Sequence, residues 1–195
     1  MARGHDSGTS RLPSDPRSAP PDLEDLRGFL NTDNRFFGFD AMADDERRAP
    51  YWRRWLPAFD IAGVDERGWR RLAELRDAAR AVVCREPGAA ERLARVAAKH
   101  PVRIALEDGP DGLRARLVPA GTRGEGGIAA AVLGALKSAV DDGRIARLRV
   151  CERPECQWVY YDSTKNRSGR WCSSDPCGDV MKARAYRARQ AAARG

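Results

Sequence analysis

The sequence predicts an α+β protein: a mainly helical N-terminal domain that contains a β-hairpin, followed by a small four-cysteine module that ends in a basic helix. Three observations support this fold class. Apolar residues recur at helical spacing through most of residues 22–143. Two segments of alternating apolar and polar residues flank a Gly-Pro-Asp-Gly turn. Four of the five cysteines fall within residues 151–177, among many arginines.

The length and composition of the chain limit the kind of protein it can be. At 195 residues, 42% of them hydrophobic, it is long enough for one medium-sized domain and a second small one. No run of about 18 apolar residues is present, and the first residues lack the apolar stretch of a signal peptide. We therefore expect a cytoplasmic protein without a membrane partner.

The positive charge is concentrated in the last quarter of the chain. Residues 1–143 contain 23 basic and 23 acidic residues, whereas residues 144–195 contain 12 and 5, which accounts for the net charge of +7. Clustered cations favour polyanions because each phosphate contact releases counterions. The pattern predicts a nucleic-acid-binding module; a merely solvated basic helix is the alternative.

The first part of the chain predicts an arm followed by helices. Residues 1–21 are rich in Gly, Ser, Pro and charge, which indicates a disordered arm. A helix is expected from Asp22 to about Asn31, and a short helix is expected to end at Pro57. The long amphipathic segment that follows has Asp65 as its expected N-cap.

Residues 66–143 predict the rest of the N-terminal domain. The long helix is expected to end at Pro87-Gly88, with Cys84 as a buried free thiol at its apolar end. "AAERLARVAAKH" predicts another helix, "VRIALED" and "LRARLVP" a hairpin, and "GIAAAVLGALKSAVDDG" a closely packed helix. We place the domain boundary after residue 143, so that residues 22–143 and 144–195 form the two domains.

The four clustered cysteines have the spacing C-x4-C-x15-C-x4-C, with Cys151, Cys156, Cys172 and Cys177 as the candidate metal ligands. Two close pairs joined by a loop suit a tetrahedral thiolate site, for which Zn²⁺ is the natural ion. A disulfide framework is the rival, although a cytosolic chain keeps its thiols reduced. Four sulfur ligands leave no open coordination position, so the expected zinc ion is structural and the protein is not expected to be an enzyme.

Between the second and third cysteines, "QWVYYD" predicts a strand with Trp158 and Tyr160 on one face and Val159 and Tyr161 on the other. A helix is then expected to start at Asp175-Pro176, or later at Asp179, with Ala183 and Tyr186 facing the zinc module. The candidate DNA contacts belong to the loop before the third cysteine and to this helix: Lys165, Asn166, Arg167, Arg170, Lys182, Arg184, Arg187 and Arg189.

These residues resemble a known family. "C-ERPE-C-QWVYYDSTKNRSGRW-C-SSDP-C-G" followed by "KARAYRAR" is similar to the CGNR zinc finger of bacterial regulators. Upstream, "LRGFLNTDNRF" and "WLPAFDIAG" resemble the ABATE domain that usually precedes that finger. The resemblance spans about residues 22–190. It implies a stress-induced transcription regulator in which a mixed α/β sensory or assembly domain is joined to a DNA-binding zinc module.

The sequence departs from the family at its name-giving tetrapeptide. Cys177-Gly178-Asp179-Val180 stands where the family has Cys-Gly-Asn-Arg, so one cation is lost and one anion is gained at the implied DNA face. Two other binding functions therefore stay open. The zinc module could be a protein-docking surface, or Trp158, Tyr160 and Tyr161 could stack on unpaired RNA bases.

The N-terminal domain offers a candidate ligand pocket at Asn31, Thr32 and Trp55. The same polar groups could instead cap the end of the first helix and support the aromatic loop beside it. The expected partners are thus DNA and, from the N-terminal domain, a small-molecule effector or a second copy in a homodimer.

Overall fold

The computed structural model of the protein describes residues 17–110, 112–121 and 124–194, and the α+β class is confirmed. Six α-helices and three two-stranded antiparallel sheets occur in this part of the chain. None of its helices is both long and apolar enough to cross a membrane. In chain order the elements are α1 (Pro21–Leu30), β1 (Asp33–Asn34), β2 (Phe39–Asp40), α2 (Asp45–Trp55), α3 (Glu66–Val83), α4 (Ala89–Ala97), β3 (Val102–Gly109), β4 (Gly112–Pro119), α5 (Gly126–Asp141), β5 (Leu148–Val150), β6 (Val159–Tyr161) and α6 (Asp179–Ala192).

Most of the predicted arm, residues 1–16, lies outside the described residues. Its described end contacts the C-terminal part of the chain. The carbonyl oxygen of Arg17 accepts a hydrogen bond from the Tyr161 backbone N–H at 3.0 Å, and the Arg17 guanidinium lies 5.1 Å from the centroid of the Tyr160 ring. Helix α1 begins at Pro21, where the missing N–H costs no helical hydrogen bond.

The aromatic residues of α2 form the centre of the N-terminal core. Trp52 is 1% exposed and makes edge-to-face contacts with Phe29, Phe59 and Trp69. Such pairs add about 0.5–1.5 kcal/mol to the free energy that burial itself provides. The helix starts at Asp45, six residues before Tyr51, because the Asp44 carboxylate accepts a hydrogen bond from the Arg47 backbone N–H.

Helix α3 confirms the predicted N-cap and corrects the prediction for its C-terminal end. The Asp65 carboxylate accepts a hydrogen bond from the Gly68 backbone N–H at 2.6 Å. The helix ends at Val83, four residues before Pro87, and Cys84 is exposed rather than buried. Cys84 is the C-cap residue just beyond the buried Val83, and its side chain is exposed, so the prediction of a buried Cys84 thiol is wrong.

The predicted hairpin is present as β3 and β4. Its register pairs Ile104 with Leu117 and Leu106 with Ala115, so these four apolar residues lie on one face. Helix α5 packs beside β4 and reaches only the base of that face. Ile104, Leu106 and Leu113 are 68%, 66% and 73% exposed. Alternation predicted the hairpin correctly, but most of its apolar face is uncovered.

The main core extends across the predicted domain boundary. Leu148, Val159 and Tyr161, all from residues 144–195, belong to the same buried cluster as the side chains of α1, α3 and α5. The carbonyl oxygens of Leu30 and Gln157 also accept hydrogen bonds from the buried Arg80 guanidinium, at 2.6 and 2.9 Å. The two parts of the chain therefore share a core.

Asn31 connects the two parts directly. Its side-chain amide donates a hydrogen bond to the Val159 carbonyl at 2.8 Å, and its side-chain oxygen accepts one from the Val159 backbone N–H at 2.8 Å. The amide thus occupies the position that a neighbouring strand would take beside β6. Both residues are fully buried, so water cannot replace these bonds.

We expect Asn31→Ala to lower the free energy of unfolding by about 2–4 kcal/mol, because both Val159 backbone groups would be buried without a partner. Urea denaturation followed by tryptophan fluorescence measures this. Asn166→Ala is the matched control, since Asn166 is exposed, and it should change the free energy by less than about 0.5 kcal/mol. An equal loss in the two variants would contradict the role of Asn31.

Candidate metal centre and basic helix

The four cysteines predicted as metal ligands lie together. The sulfur atoms of Cys151, Cys156, Cys172 and Cys177 are all within 4.8 Å of one another, and no disulfide joins them. The Cys172 sulfur lies 3.7 Å from the sulfurs of both Cys156 and Cys177. With Zn–S bonds of about 2.3 Å, a tetrahedral site has sulfur atoms about 3.8 Å apart. The cluster could therefore hold a tetrahedrally coordinated metal ion.

The protonation of the cluster also favours a cation. Hydrogen bonds from the Cys156 and Cys172 thiols lower the pKa of Cys151 to about 2. The pKa of Cys156 is raised to about 12 and the pKa of Cys172 is also raised, first because their thiols donate hydrogen bonds to the Cys151 thiolate, and then because burial and the nearby negative charge disfavour a second thiolate. A divalent cation removes this repulsion and holds all four sulfurs as thiolates.

Backbone turns at both ends position the cysteine pairs. The Cys151 backbone N–H donates to the Trp158 carbonyl at 2.9 Å, which extends the β5–β6 ladder to the first ligand. The Cys156 backbone N–H donates to the Arg153 carbonyl at 2.9 Å and closes a tight turn. In the second pair, the Gly178 N–H donates to the Ser173 carbonyl at 3.1 Å.

Strand β6 separates the metal centre from the main core. Val159 and Tyr161 are buried in the main core, whereas Tyr160 packs with the cysteines, Trp158 and Trp171 in a second small cluster. The predicted alternation of these four residues is confirmed. Since Tyr160 and Tyr161 are buried, their rings are not available to stack on RNA bases as the RNA alternative required.

Asp162 organises the loop between the second and third cysteines. Its carboxylate accepts hydrogen bonds from the Thr164 hydroxyl at 2.7 Å and from the Gly169 backbone N–H at 2.9 Å. Burial would raise the pKa of Asp162, but these hydrogen bonds and the charge of Arg149 outweigh it and lower the pKa. Tyr160, whose pKa burial raises to about 12, donates its hydroxyl to the Gly169 carbonyl at 2.7 Å.

The geometry defines a small four-cysteine metal-binding module that packs on a helical domain. Residues 147–190 match the CGNR zinc finger family, as the cysteine spacing and the loop residues predicted. No curated protein is significantly similar to the chain. The upstream resemblance to the ABATE domain stays a prediction.

The predicted DNA contacts of the loop are exposed. Lys165, Asn166 and Arg167 lie near the tip of the loop that Asp162 closes, and Arg167 has a positive φ of 50°. Arg170 is also exposed, but its guanidinium forms a 2.7 Å ion pair with Glu152 and lies over the Trp171 ring. Its charge is therefore partly neutralised within the module.

The predicted basic helix is present as α6, but it begins later than Asp175. Asp175 has an extended conformation, and residues Ser174–Gly178 form a short π-helical turn before α6 starts at Asp179. The predicted contact of Ala183 and Tyr186 with the zinc module is wrong, because both residues are exposed. No residue of α6 is buried. The helix extends from the module and contacts it mainly at its N-terminal end.

The four predicted DNA contacts on α6 are exposed, but two of them carry ion pairs. Arg184 is 2.7 Å from Glu155, and Lys182 is 3.3 Å from Asp179. Among the described residues, Arg187 and Arg189 have no acidic partner. Glu155 was missed by the sequence reasoning. The sequence shows that Glu155 directly precedes the second cysteine and follows Cys151 by four residues. It does not show that the Glu155 carboxylate lies next to Arg184 of α6.

The residues proposed for a ligand pocket have structural contacts. Asn31 pairs with Val159, and the Thr32 hydroxyl donates to the Phe29 carbonyl at 2.8 Å, which caps the end of α1. Trp55 packs at the edge of the main core. A groove of about 390 Å³ lies elsewhere, between the C-terminal end of α3 and the first cysteine turn.

We expect Gly169→Ala to destabilise the module and to weaken metal binding at least tenfold. A methyl group at Gly169 would lie 2.9 Å from Asp162 Oδ1, and three hydrogen bonds to the two oxygens of this carboxylate hold it in place. Metal competition with a chromophoric chelator measures the affinity. The control is Gly127→Ala, where no atom lies within 4 Å of the added methyl group and α5 should be unchanged or slightly stabilised. Equal affinities in the two variants would contradict the role of Asp162.

Proposed function

We propose that the protein is a DNA-binding transcription regulator, in which a structural zinc ion folds the C-terminal module and the N-terminal domain serves sensing or assembly. One observation carries this proposal: α6, a helix with four predicted cationic contacts, has no buried residue, is exposed from Lys182 onward and lies beside a four-cysteine cluster. A helix that projects freely from a small rigid module can enter the major groove of DNA.

Zinc fits the ligand set. Four thiolates at tetrahedral spacing suit Zn²⁺, whereas Mg²⁺ and Ca²⁺ prefer oxygen ligands. The ion would supply folding energy for a module whose own apolar cluster is small. Because all four ligands come from the protein, no coordination position is left for water or substrate, and we propose no catalytic role for the site.

The cations of α6 are arranged for contacts along a groove. Lys182 and Arg189 are seven residues apart and share one face of the helix, while Arg184 and Arg187 are three apart and share another. The 14-residue helix is about 21 Å long. Two cationic faces on one helix allow contacts to phosphates on both walls of the groove or to base edges between them.

The ion pairs within the protein indicate which of these cations can contact DNA most readily. Lys165 and Arg167 on the loop, and Arg187 and Arg189 on the helix, have no acidic partner among the described residues. Arg170, Lys182 and Arg184 must first leave Glu152, Asp179 and Glu155. Exposed ion pairs contribute only about 0–1 kcal/mol, so DNA phosphates can replace these partners.

The protein-docking alternative has less support from the helix itself. A helix that binds a protein groove presents apolar anchors at i, i+3, i+4 and i+7. On α6 the largest exposed apolar side chain is Tyr186, and alanines and cations occupy the positions around it. The surface of α6 therefore suits a polyanion better than an apolar groove.

The purified protein is expected to contain one zinc ion per chain. Removal of the ion by a chelator, or Cys172→Ser, should lower the melting temperature of the whole chain, because Leu148, Val159 and Tyr161 of the finger belong to the main core. Elemental analysis and calorimetry measure the two quantities. Cys84→Ser is the control, since Cys84 is outside the cluster, and it should keep the zinc content. A zinc-free folded protein would contradict the assignment.

The double variant Arg187→Ala/Arg189→Ala should weaken binding to duplex DNA and reduce the slope of log K against log salt by about two, one for each arginine that no longer neutralises a phosphate. Fluorescence anisotropy at several salt concentrations measures this. If Arg187 reads a base edge instead, the loss is about 1–3 kcal/mol on the preferred site and smaller on other sequences.

The matched control is Arg67→Ala/Arg70→Ala, which removes two exposed arginines from α3 that have no ion pair among the described residues. It should leave the slope unchanged. A gain-of-function variant, Asp179→Asn/Val180→Arg, frees Lys182 from its acidic neighbour and adds a cation, so it should bind more tightly. If wild-type protein shows no salt-dependent binding and this variant gains none, the DNA proposal fails and the docking module takes its place.

A further inference from the structure

The β3–β4 hairpin has an apolar face that the chain does not cover. Ile104, Leu106, Leu113 and Ala115 lie on one side of the hairpin and are exposed; we refer to them as the hairpin face. Only the base of the same side is covered, where Leu117 lies beside Gly134 of α5. Exposed contiguous apolar surface of this kind marks an interaction site in soluble proteins.

The outer edge of β3 is also unpaired. Among the described residues, β3 forms hydrogen bonds only with β4, and α5 packs beside β4 rather than β3. The backbone groups along the other edge of this eight-residue strand therefore lack a strand partner. Such an edge is a template for another strand unless a protein blocks it with proline, a bulge or inward-pointing charge.

We propose that a second copy of the chain pairs with this edge, antiparallel to β3 around a two-fold axis at Ala105, and that the two hairpins form a four-stranded sheet. This homodimer is independent of the proposed function of the finger, because β3 is remote in sequence and lies in the N-terminal domain. The choice of a second copy rests on the charges and the apolar residues of β3 itself.

Two of the three charges of β3, Arg103 and Glu107, are self-complementary in this register, and the third, Asp108, lies opposite Val102. Arg103 of one copy lies opposite Glu107 of the other, and the two-fold axis repeats the pair. Among the described residues Arg103 has no ion-pair partner, while Glu107 already contacts Arg116 of its own hairpin. Opposite charges directly across two antiparallel strands stabilise the pairing, and like charges destabilise it.

The apolar residues match in the same register. Ile104 of one copy lies opposite Leu106 of the other, so each exposed side chain gains a cross-strand neighbour. Beyond Ile104 of the second copy lies its Leu117, which α5 covers. Four side chains thus lie in one row across the sheet. Ala115 and Leu106 of one copy are followed by Ile104 and Leu117 of the other, and α5 covers Leu117.

The outer edge of β4 does not offer the same match. A two-fold axis at Ala115 would place Arg114 of one copy opposite Arg116 of the other, and the symmetry would repeat this contact between like charges. No acidic residue lies on β4 itself. Glu107 of β3 already pairs with Arg116, but Arg114 has no ion-pair partner among the described residues, so part of this repulsion remains. The charge pattern therefore selects the β3 edge.

Sedimentation equilibrium of the full-length, zinc-loaded protein tests the proposal. We expect a dimer between about 1 and 100 μM. Arg103→Glu should raise the dissociation constant about tenfold or more, because two attractive pairs become repulsive, and Glu107→Arg should do the same. A mixture of the two variants should form a heterodimer, because the introduced glutamate of one chain and the introduced arginine of the other then restore an attractive pair.

Arg95→Glu is the matched control, since it reverses one exposed charge on α4 and should leave the dimer intact. A monomeric wild-type protein at about 100 μM would overturn the proposal and leave the hairpin face to a different partner. A dimer that Arg103→Glu does not weaken, or variants that do not associate when mixed, would overturn the register. Circular dichroism of each variant distinguishes these results from loss of folding.

A cross-linking experiment tests the axis. In a Cys84→Ser background, Ala105→Cys should form an intermolecular disulfide on mild oxidation, because residues opposite each other on antiparallel strands have Cα atoms about 4.5–5.5 Å apart. Ala115→Cys lies one strand farther from the axis and should remain monomeric on a non-reducing gel. Equal cross-linking of the two variants, or no cross-linking of the Ala105→Cys variant, would overturn the proposed axis.

Discussion

The hydrogen bonds between Asn31 and β6 determine how the two parts of the protein are joined. A strand with three residues and one partner strand leaves backbone groups unpaired on its other edge, and at Val159 that edge is buried. The Asn31 amide supplies one donor and one acceptor in the spacing of a neighbouring strand. Once β6 is fixed against α1, its side chains can only alternate between the main core and the cysteine cluster. The position of the metal centre relative to the helices follows from this contact.

This arrangement connects the cysteine cluster directly to the main core of the chain. Tyr160 packs against the cysteines, while its neighbours Val159 and Tyr161 are buried in the core formed by α1, α3 and α5. A loss of order around the sulfur atoms would therefore disturb Tyr160 and, through its neighbours Val159 and Tyr161, the packing of the main core. The Arg80 guanidinium supports the same junction, since it binds carbonyl groups that belong to α1 and to the turn after Cys156. A module with these contacts is not an independently attached domain.

The sequence predicted local structure well where a short-range rule applied. The end of α1, the N-cap of α3, the β3–β4 hairpin, the cysteine cluster and the alternation of residues 158–161 all depend on residues close in the chain. It failed where the outcome depended on distant residues. Cys84 was predicted buried because its helix is apolar, but the helix ends at Val83, which is buried, and Cys84 is exposed as the C-cap residue. Similarly, Tyr186 has helical spacing toward the finger, but it is exposed, and the described ion pair between α6 and the turn before Cys156 is made by Arg184.

The distribution of charge shows how much of the basic C-terminal part is available to a partner. Several of its arginines have structural contacts: Arg147 donates to the carbonyls of Asp162 and Thr164, and Arg153 approaches the Cys177 sulfur at 4.0 Å. Glu152 and Glu155 form ion pairs with Arg153, Arg170 and Arg184. Asp179 stands in the first turn of α6, where an acidic residue interacts favourably with the helix dipole, so its negative charge stabilises the helix while it reduces the field near Lys182. The net charge of +7 thus overstates the number of cations that are available to a partner. Cations without an acidic partner among the described residues lie at the loop tip and along the distal half of α6. A partner with a regular array of negative charge would meet the module at these two places first.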